Sequence, residues 1–121
     1  MELHTMATKK RRSDRNHIIY MFTCDTTKER YIGVTVMKGT AKWKTLRQRW
    51  QGHVYKALIL GENWGISQAI KTHGEQDFWM EILDVIRGKE AAFKLESTLI
   101  NTLKPELNLR RKKHVDSQAV I

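Results

Sequence analysis

The sequence predicts a small α+β domain in which a three-stranded antiparallel sheet is flanked by about three helices. Two runs of β-branched and aromatic residues, "HIIYMFTC" and "ERYIGVTV", come early in the chain and are separated by the turn-forming "DTTK". Later segments carry apolar residues at helical spacing, interrupted by one further strand-like run. The predicted order is β-β-α-α-β-α, in a chain whose 121 residues suit one compact domain.

The turn sets the register of the predicted hairpin. If it is centred on the two threonines of "DTTK", Tyr20 pairs with Gly33 and Phe22 with Tyr31. The two tyrosines are then diagonal neighbours on one face of the sheet, and Gly33 leaves room opposite the Tyr20 ring. The ordinary alternative is that both tyrosines only pack on the sheet, with their hydroxyls at its edge.

The remaining elements follow in order. After a polar loop over 38–44, "KTLRQRWQGHVYKALIL" predicts the first helix, with Thr45 as its N-cap. "ISQAIKTH" predicts a short second helix ended by Gly74, and "DFWMEILDVI" predicts the third strand. "GKEAAFKLESTLINTLKP" predicts the last helix, ended at Pro105, and "ELNL" a short extended segment.

Positive charge is concentrated at both ends of the chain, whose formal net charge is +9. Residues 1–16 carry five Lys/Arg against two acids, and residues 109–121 carry four against one, so each tail holds a net +3. We predict a basic flexible arm over 1–16, a folded domain over 17–108 and a basic tail over 109–121. Such tails are typical of proteins that bind DNA or RNA, although they also serve solubility alone. The predicted nucleic-acid-binding residues are Lys9, Lys10, Arg11, Arg12, Arg47, Arg110, Arg111, Lys112 and Lys113.

Composition excludes several classes of protein. The chain is 40% hydrophobic and 29% charged, which fits neither a disordered nor a membrane protein. No apolar run approaches the roughly 18 residues that cross a bilayer, and the N-terminus does not resemble a signal peptide. The lone cysteine, Cys24, allows neither an internal disulfide nor a thiolate cage for zinc, and we expect it to be inert. A reducing cytoplasmic location is the expectation.

Three polar residues interrupt rows that should be apolar. Glu96 shares a row of the last helix with Ala92 and Leu99, so its carboxylate should need a cation, either Lys, Arg or a metal ion. Arg49 and His53 are four residues apart on the first helix and therefore share a face. The ordinary alternatives are a surface salt bridge for Glu96, a surface arginine, and a hydrogen-bonded core histidine.

Taken in order, these residues resemble the GIY-YIG nuclease superfamily. The matching stretches are "IIY", "YIG", "RWQGH", a late helical Glu96 and Asn108 in "ELNL". The first motif starts with Ile18 where the family name has glycine, and the stretch between Gly33 and Arg49 is longer than in compact members. That longer stretch leaves Arg47 as an alternative to Arg49, although the spacing to His53 favours Arg49.

The resemblance implies an endonuclease that hydrolyses a phosphodiester in DNA with one Mg²⁺ or Mn²⁺ ion per site. It implies that Tyr20 orients or deprotonates the attacking water, that Arg49 stabilises the transition state and that Glu96 holds the metal ion. Tyr31 would hold the phosphate or the water, and His53 would relay a proton or bind phosphate. Asn108 would tie the end of the last helix to the site. We expect a nearby cation, Arg49, a lysine or the metal, to lower the pKa of Tyr20 towards the phenolate.

Other functions stay open on sequence alone. A nucleic-acid-binding module that has lost cleavage would need only the basic groove and tails, and a small basic regulator of other proteins is a third possibility. Many homing endonucleases of this group carry a separate DNA-recognition domain, so target choice here is expected to come from the body, the tails or a partner. One site per chain predicts a nicking monomer, or a weak dimer for a double-strand break.

Overall fold

The computed structural model describes residues 14–108. Strand β1 (Asn16–Cys24) and strand β2 (Arg30–Val36) are followed by helix α1 (Lys42–Leu58) and helix α2 (Gly65–His73). A 3₁₀ turn (Glu75–Asp77) leads into strand β3 (Phe78–Arg87), helix α3 (Lys89–Leu103) and a last 3₁₀ turn (Glu106–Asn108). The predicted α+β class and element order are confirmed.

The three strands form one antiparallel sheet with the order β2-β1-β3. The predicted hairpin register is confirmed, since Tyr20 pairs with Gly33 and Phe22 with Tyr31. The connection is a four-residue loop over 25–28 rather than a two-residue turn. It closes through hydrogen bonds between the backbones of Cys24 and Glu29 and of Lys28 and Cys24, and Lys28 adopts a positive φ of 65°. The register survives because a four-residue loop has the same centre as the predicted turn.

The core lies on the sheet face that carries Tyr20. Ile18, Tyr20 and Phe22 alternate along β1 and are fully buried. Helices α1 and α2 cover this face through Leu46, Ile66, Ile70 and neighbours in one hydrophobic cluster. A register shift between β1 and β3 adds one residue to β3. Both Ile82 and Val85 therefore pack against this cluster although they are three residues apart.

Helix α3 contacts all three strands from the other side of the sheet. Ile19 and Ile32 point to that side, by alternation with Tyr20 and Tyr31, and both are fully buried. At the helix start, Lys89 and Phe93 line a cavity together with side chains of β1 and β2. The sheet therefore separates α1 and α2 from α3, and a site that uses α1 and α3 together must lie at a sheet edge.

Two sequence predictions about local structure are wrong. The first helix begins at Lys42, so Thr45 is not its N-cap; the Thr45 hydroxyl instead accepts a hydrogen bond from the Lys38 backbone N–H at 3.1 Å. The segment "ELNL" is not extended, because Glu106–Asn108 forms a 3₁₀ turn. Among the described helices, none has the length and apolar character that would be needed to cross a bilayer.

Candidate active site

The site is centred on the hydroxyl of Tyr20, and Gly33 makes room for it. A Cβ atom at Gly33 would lie 2.6 Å from Cζ of Tyr20 and closer still to its hydroxyl oxygen. The ring therefore crosses directly over Gly33, from the central strand to the edge strand β2. Any larger residue at position 33 would displace the phenol, so the glycine of "YIG" places the hydroxyl at this edge.

Helix α1 supplies two partners for that hydroxyl. Nε of Arg49 donates to the Tyr20 hydroxyl oxygen at 3.2 Å, and Nε2 of His53 lies 3.3 Å from the same oxygen. Because Tyr20 accepts from Arg49, its own proton is available to His53, whose Nε2 then accepts and whose Nδ1 carries the hydrogen. The spacing of four residues on α1 places both side chains at the same atom.

Tyr31 completes the cluster from strand β2. Its ring centroid lies 6.3 Å from that of Tyr20 and 5.1 Å from that of His53. A hydrogen bond from Tyr31 also lowers the pKa of Tyr20. The fold therefore brings together the side chains predicted at positions 20, 31, 49 and 53. Of the two candidate arginines, Arg49 lies beside Tyr20, whereas Arg47 is exposed to solvent on α1.

Burial decides the protonation states in this cluster. It raises the pKa of Tyr20 above 10.0, although Arg49 and the hydrogen bonds act in the opposite direction. Arg49 therefore acts on the Tyr20 pKa in the expected direction, but the net shift is upward because desolvation of the phenolate outweighs the guanidinium. Burial, together with the charges of Arg49 and Lys56, lowers the pKa of His53 to about 3. At neutral pH the pair is a neutral phenol beside a neutral imidazole.

Glu96 approaches the cluster from helix α3. It is half-buried, and desolvation raises its pKa. Its charge also raises the pKa of Tyr20, so the two side chains interact electrostatically. No hydrogen bond or ion pair joins Glu96 to another residue between 14 and 108, so within that part of the chain the alternative interpretation, a surface salt bridge, is not observed.

Asn108 fastens the last 3₁₀ turn to strand β2. Its Oδ1 accepts from the backbone N–H of Ile32 at 2.8 Å, and its Nδ2 donates to the Ile32 carbonyl at 2.8 Å. Ile32 lies between Tyr31 and Gly33, so the side-chain amide fixes the strand segment that carries both. Asn108 contacts backbone here rather than any of the reactive side chains.

One feature near Arg49 was not predicted from the sequence. A cavity of about 280 Å³ is lined by Arg49, Lys89 and Phe93 together with His17 and residues 34–36. The sequence contained an indication of this cavity, because Lys89, Phe93 and Glu96 recur at helical spacing on α3 and therefore share a face.

The tail residues predicted to bind nucleic acid, at 9–12 and 110–113, lie outside the described residues.

One comparison with known proteins identifies a family. The family model described as the GIY-YIG catalytic domain matches residues 16–112, most of the chain. No curated protein and no solved structure matches the chain significantly. The matched range contains all six residues predicted for the site.

Proposed function

Since this chain belongs to the GIY-YIG family of nucleases, we propose that it is a metal-dependent endonuclease that hydrolyses phosphodiester bonds in DNA. The observation that carries the proposal is the convergence of Arg49 and His53 on the Tyr20 hydroxyl, with the half-buried Glu96 close enough to alter the pKa of that phenol. Packing alone does not require a guanidinium, an imidazole and a carboxylate around one buried phenol.

Water activation uses Tyr20 and His53 as a relay. The pKa of Tyr20 is raised, so the phenol is protonated at neutral pH and is not a base by itself. Its proton can pass to Nε2 of His53, which is unprotonated because its pKa is about 3. The same low pKa makes this transfer unfavourable as a separate step, so it has to be concerted with the attack: Tyr20 receives one proton from the water as it gives one to His53.

Arg49 stabilises the charge that develops on the phosphate. Only its Nε is used by Tyr20, so the terminal nitrogens of the planar guanidinium remain for two phosphate oxygens. Lys89 shares a cavity with Arg49 and adds a second cation on the side of α3. Tyr31 would hold the water or a phosphate oxygen, and Asn108 would keep the segment of β2 from Tyr31 to Gly33 in place through its hydrogen bonds to Ile32.

The donor set fits one hard divalent cation. Glu96 is a half-buried carboxylate without an ion pair among residues 14–108, and oxygen ligands of this kind suit Mg²⁺ and Mn²⁺. Such an ion takes one or two protein carboxylates and keeps water or phosphate oxygens for its other positions. Bound there, it would polarise the phosphate and stabilise the departing 3′ oxygen.

The test is nicking of supercoiled plasmid by the full chain in Mg²⁺, with EDTA as the blank. Glu96→Gln and Arg49→Lys keep size and polarity and should each reduce nicking by at least about 100-fold. Asn101→Asp, on the exposed side of α3, is the matched control and should leave nicking unchanged.

DNA retention separates an enzyme from a binding module. Both active-site variants should retain plasmid in a gel-shift assay nearly as well as the unchanged chain, since they alter chemistry more than charge contact. Equal nicking by the unchanged chain and by both variants would place the site elsewhere. Retention of DNA by the unchanged chain without any metal-dependent nicking would favour the non-cleaving module.

A further inference from the structure

A second group of metal-ligating side chains lies at the far end of strand β1. It consists of Cys24, His73 and Asp77, and one ligand atom from each lies within 4.8 Å of the others. Cys24 is four residues beyond Tyr20 along the strand, a distance of roughly 13 Å. This group is therefore separate from Glu96 and plays no part in the proposed hydrolysis.

The separations match a small tetrahedral centre. Sγ of Cys24 lies 3.3 Å from Oδ2 of Asp77, and Nδ1 of His73 lies 4.0 Å from the same oxygen. Zinc bonds to sulfur, nitrogen and oxygen at tetrahedral angles place such ligand atoms about 3.5 Å apart. Both contacts differ from this value by about half an ångström or less, and the third pair of ligand atoms lies within 4.8 Å, so an adjustment of the partly exposed His73 would close the site.

The surroundings hold the carboxylate in place. The backbone N–H of Thr26 donates to Oδ2 of Asp77 at 3.3 Å, and the N–H of Asp25 donates to the Asp77 carbonyl at 2.6 Å. These bonds fix the ligand in the way that outer hydrogen bonds fix metal-binding carboxylates. Cys24 is fully buried, whereas the side chains of His73 and Asp77 are 24% and 23% exposed, so an ion can enter from solvent on their side.

We propose that Cys24, His73 and Asp77 form a zinc site, with water in the fourth position. A thiolate, an imidazole and one carboxylate are ligands that favour Zn²⁺ over Mg²⁺, which prefers oxygen alone. The thiol now donates its hydrogen to Asp77. On binding, the metal replaces that hydrogen, one proton is released to solvent, and both the thiolate and the carboxylate bond to Zn²⁺.

Zinc bound there would connect three separate parts of the fold. Cys24 ends β1, His73 ends α2, and Asp77 lies in the 3₁₀ turn before β3. Without metal they are joined by the thiol hydrogen bond and a 4.0 Å contact between His73 and Asp77. The metal would therefore stabilise the folded chain, because the unfolded chain does not hold these three ligands together.

The experiment uses the full chain, stripped with EDTA and dialysed, then titrated with CoCl₂ and with ZnCl₂. Cobalt should give a thiolate charge-transfer band and tetrahedral ligand-field bands that saturate at one equivalent. Zinc at saturating concentration should raise the melting temperature by about 5 °C or more, and MgCl₂ should not.

Three variants and one control decide the assignment. Cys24→Ser should remove the charge-transfer band, and His73→Gln and Asp77→Asn should weaken zinc binding by more than about 100-fold. The His73 side chain is partly exposed, so its variant should fold even if the buried cysteine does not tolerate replacement. Asp84→Asn, an exposed acid on β3, should bind zinc normally.

The absence of a thiolate band with cobalt overturns the proposal. So does an equal rise in melting temperature with zinc for the unchanged chain and for His73→Gln. Either result would leave the group as a hydrogen-bonded junction between β1, α2 and β3. These readouts need no DNA and no Mg²⁺, so they stand or fall separately from the proposed nuclease activity.

Discussion

The Tyr20 hydroxyl has every hydrogen-bonding position occupied. It has one hydrogen and two lone pairs, and its partners are His53, Arg49 and Tyr31. A substrate water therefore has to displace one of the two donors before Tyr20 can accept its proton. A phosphate that attracts the guanidinium of Arg49 or the hydroxyl of Tyr31 would free a lone pair, so substrate binding itself would complete the base.

His53 predicts how stability depends on pH. Its pKa is about 3 in the folded chain against an ordinary value of 6.5. Between these values the unfolded chain binds a proton that the folded chain excludes, so stability is lost as pH falls below 6.5. At pH 5 the loss that is due to this buried residue should be about 2 kcal/mol relative to pH 7.

Urea unfolding at both pH values checks this in the unchanged chain and in His53→Gln. The variant should be less stable at pH 7, but its loss between pH 7 and pH 5 should be smaller by about 2 kcal/mol. Carboxylates that titrate in the same range contribute equally to both proteins and cancel. An identical pH dependence in the two proteins would contradict the low pKa.

Gly33 predicts a joint loss of stability and activity. In Gly33→Ala the added methyl group would overlap Tyr20, and the ring would have to move. We expect a cost of about 2 kcal/mol in unfolding free energy. Plasmid nicking should fall by at least about 100-fold, because displacement of a reactive group by about an ångström has effects of that size.

Gly52→Ala is the matched control for this substitution. Gly52 lies within α1, and a Cβ atom there would meet nothing within 4 Å. The change should raise the unfolding free energy by about 1 kcal/mol, since alanine favours the helix more than glycine does. A Gly33→Ala protein as active as Gly52→Ala would show that the position of the phenol does not matter.

At the scale of elements, residue periodicity and turn-forming residues predict the strands and helices better than helix-capping residues predict where a helix begins. The centre of the predicted turn gave the pairing of β1 with β2, and the observed four-residue loop has the same centre as the predicted two-residue turn. The start of α1 was misplaced because Thr45 has the chemistry of an N-cap, yet its hydroxyl serves the Lys38 backbone one turn inside the helix. Whether the Thr45 hydroxyl caps the helix or bonds to the Lys38 backbone depends on a contact between two segments, and the local sequence does not contain that information.

The last 3₁₀ turn lies far along the chain from Tyr31, yet we expect it to support the site through Asn108. Asn108→Asp keeps the acceptor for the Ile32 N–H but places a carboxylate oxygen against the Ile32 carbonyl. We expect a loss of about 2 kcal/mol in unfolding free energy, because one hydrogen bond becomes a repulsion. Urea unfolding measures this loss of stability. Plasmid nicking should also decrease, because the segment of β2 from Tyr31 to Gly33 is held less firmly.

Asn101→Asp again provides the comparison, since Asn101 is exposed on α3 and the change in formal charge is the same. It should alter stability by no more than about 0.5 kcal/mol. Equal effects of the two substitutions would mean that the paired hydrogen bonds to Ile32 contribute nothing to the edge of the sheet.

At the scale of the whole molecule, the site joins residues from both faces of the sheet. The residue types and their order were evident in the sequence, and Arg49 and His53 were placed together by helical spacing. The raised pKa of Tyr20 was not predictable, because it results from burial by α1 and α2 after folding. For the same reason the sequence predicted an inert cysteine, since His73 and Asp77 come close to Cys24 only when β1 pairs with β3.

The distribution of charge predicts how DNA affinity depends on salt. Residues 1–16 and residues 109–121 each hold a net charge of +3 out of +9, so much of the electrostatic attraction should come from the two ends of the chain. Replacing Lys9, Lys10, Arg11 and Arg12 with glutamine should reduce the slope of log affinity against log salt concentration by about 3.6, if each contacts one phosphate. Fluorescence anisotropy with a labelled duplex, in EDTA to prevent cleavage, measures that slope.

The control replaces four lysines among residues 14–108 with glutamine, at positions 28, 71, 94 and 104, so that the change in net charge is the same. If attraction depended on net charge alone, both variants would lose the same slope. We expect the arm variant to lose more, because a chain segment with four consecutive cations can follow the phosphate backbone while single lysines on a globular surface cannot all reach it. At low salt the arm variant should still nick plasmid in Mg²⁺, since the residues around Tyr20 are unchanged, and equal slopes for the two variants would refute a binding role for the arm.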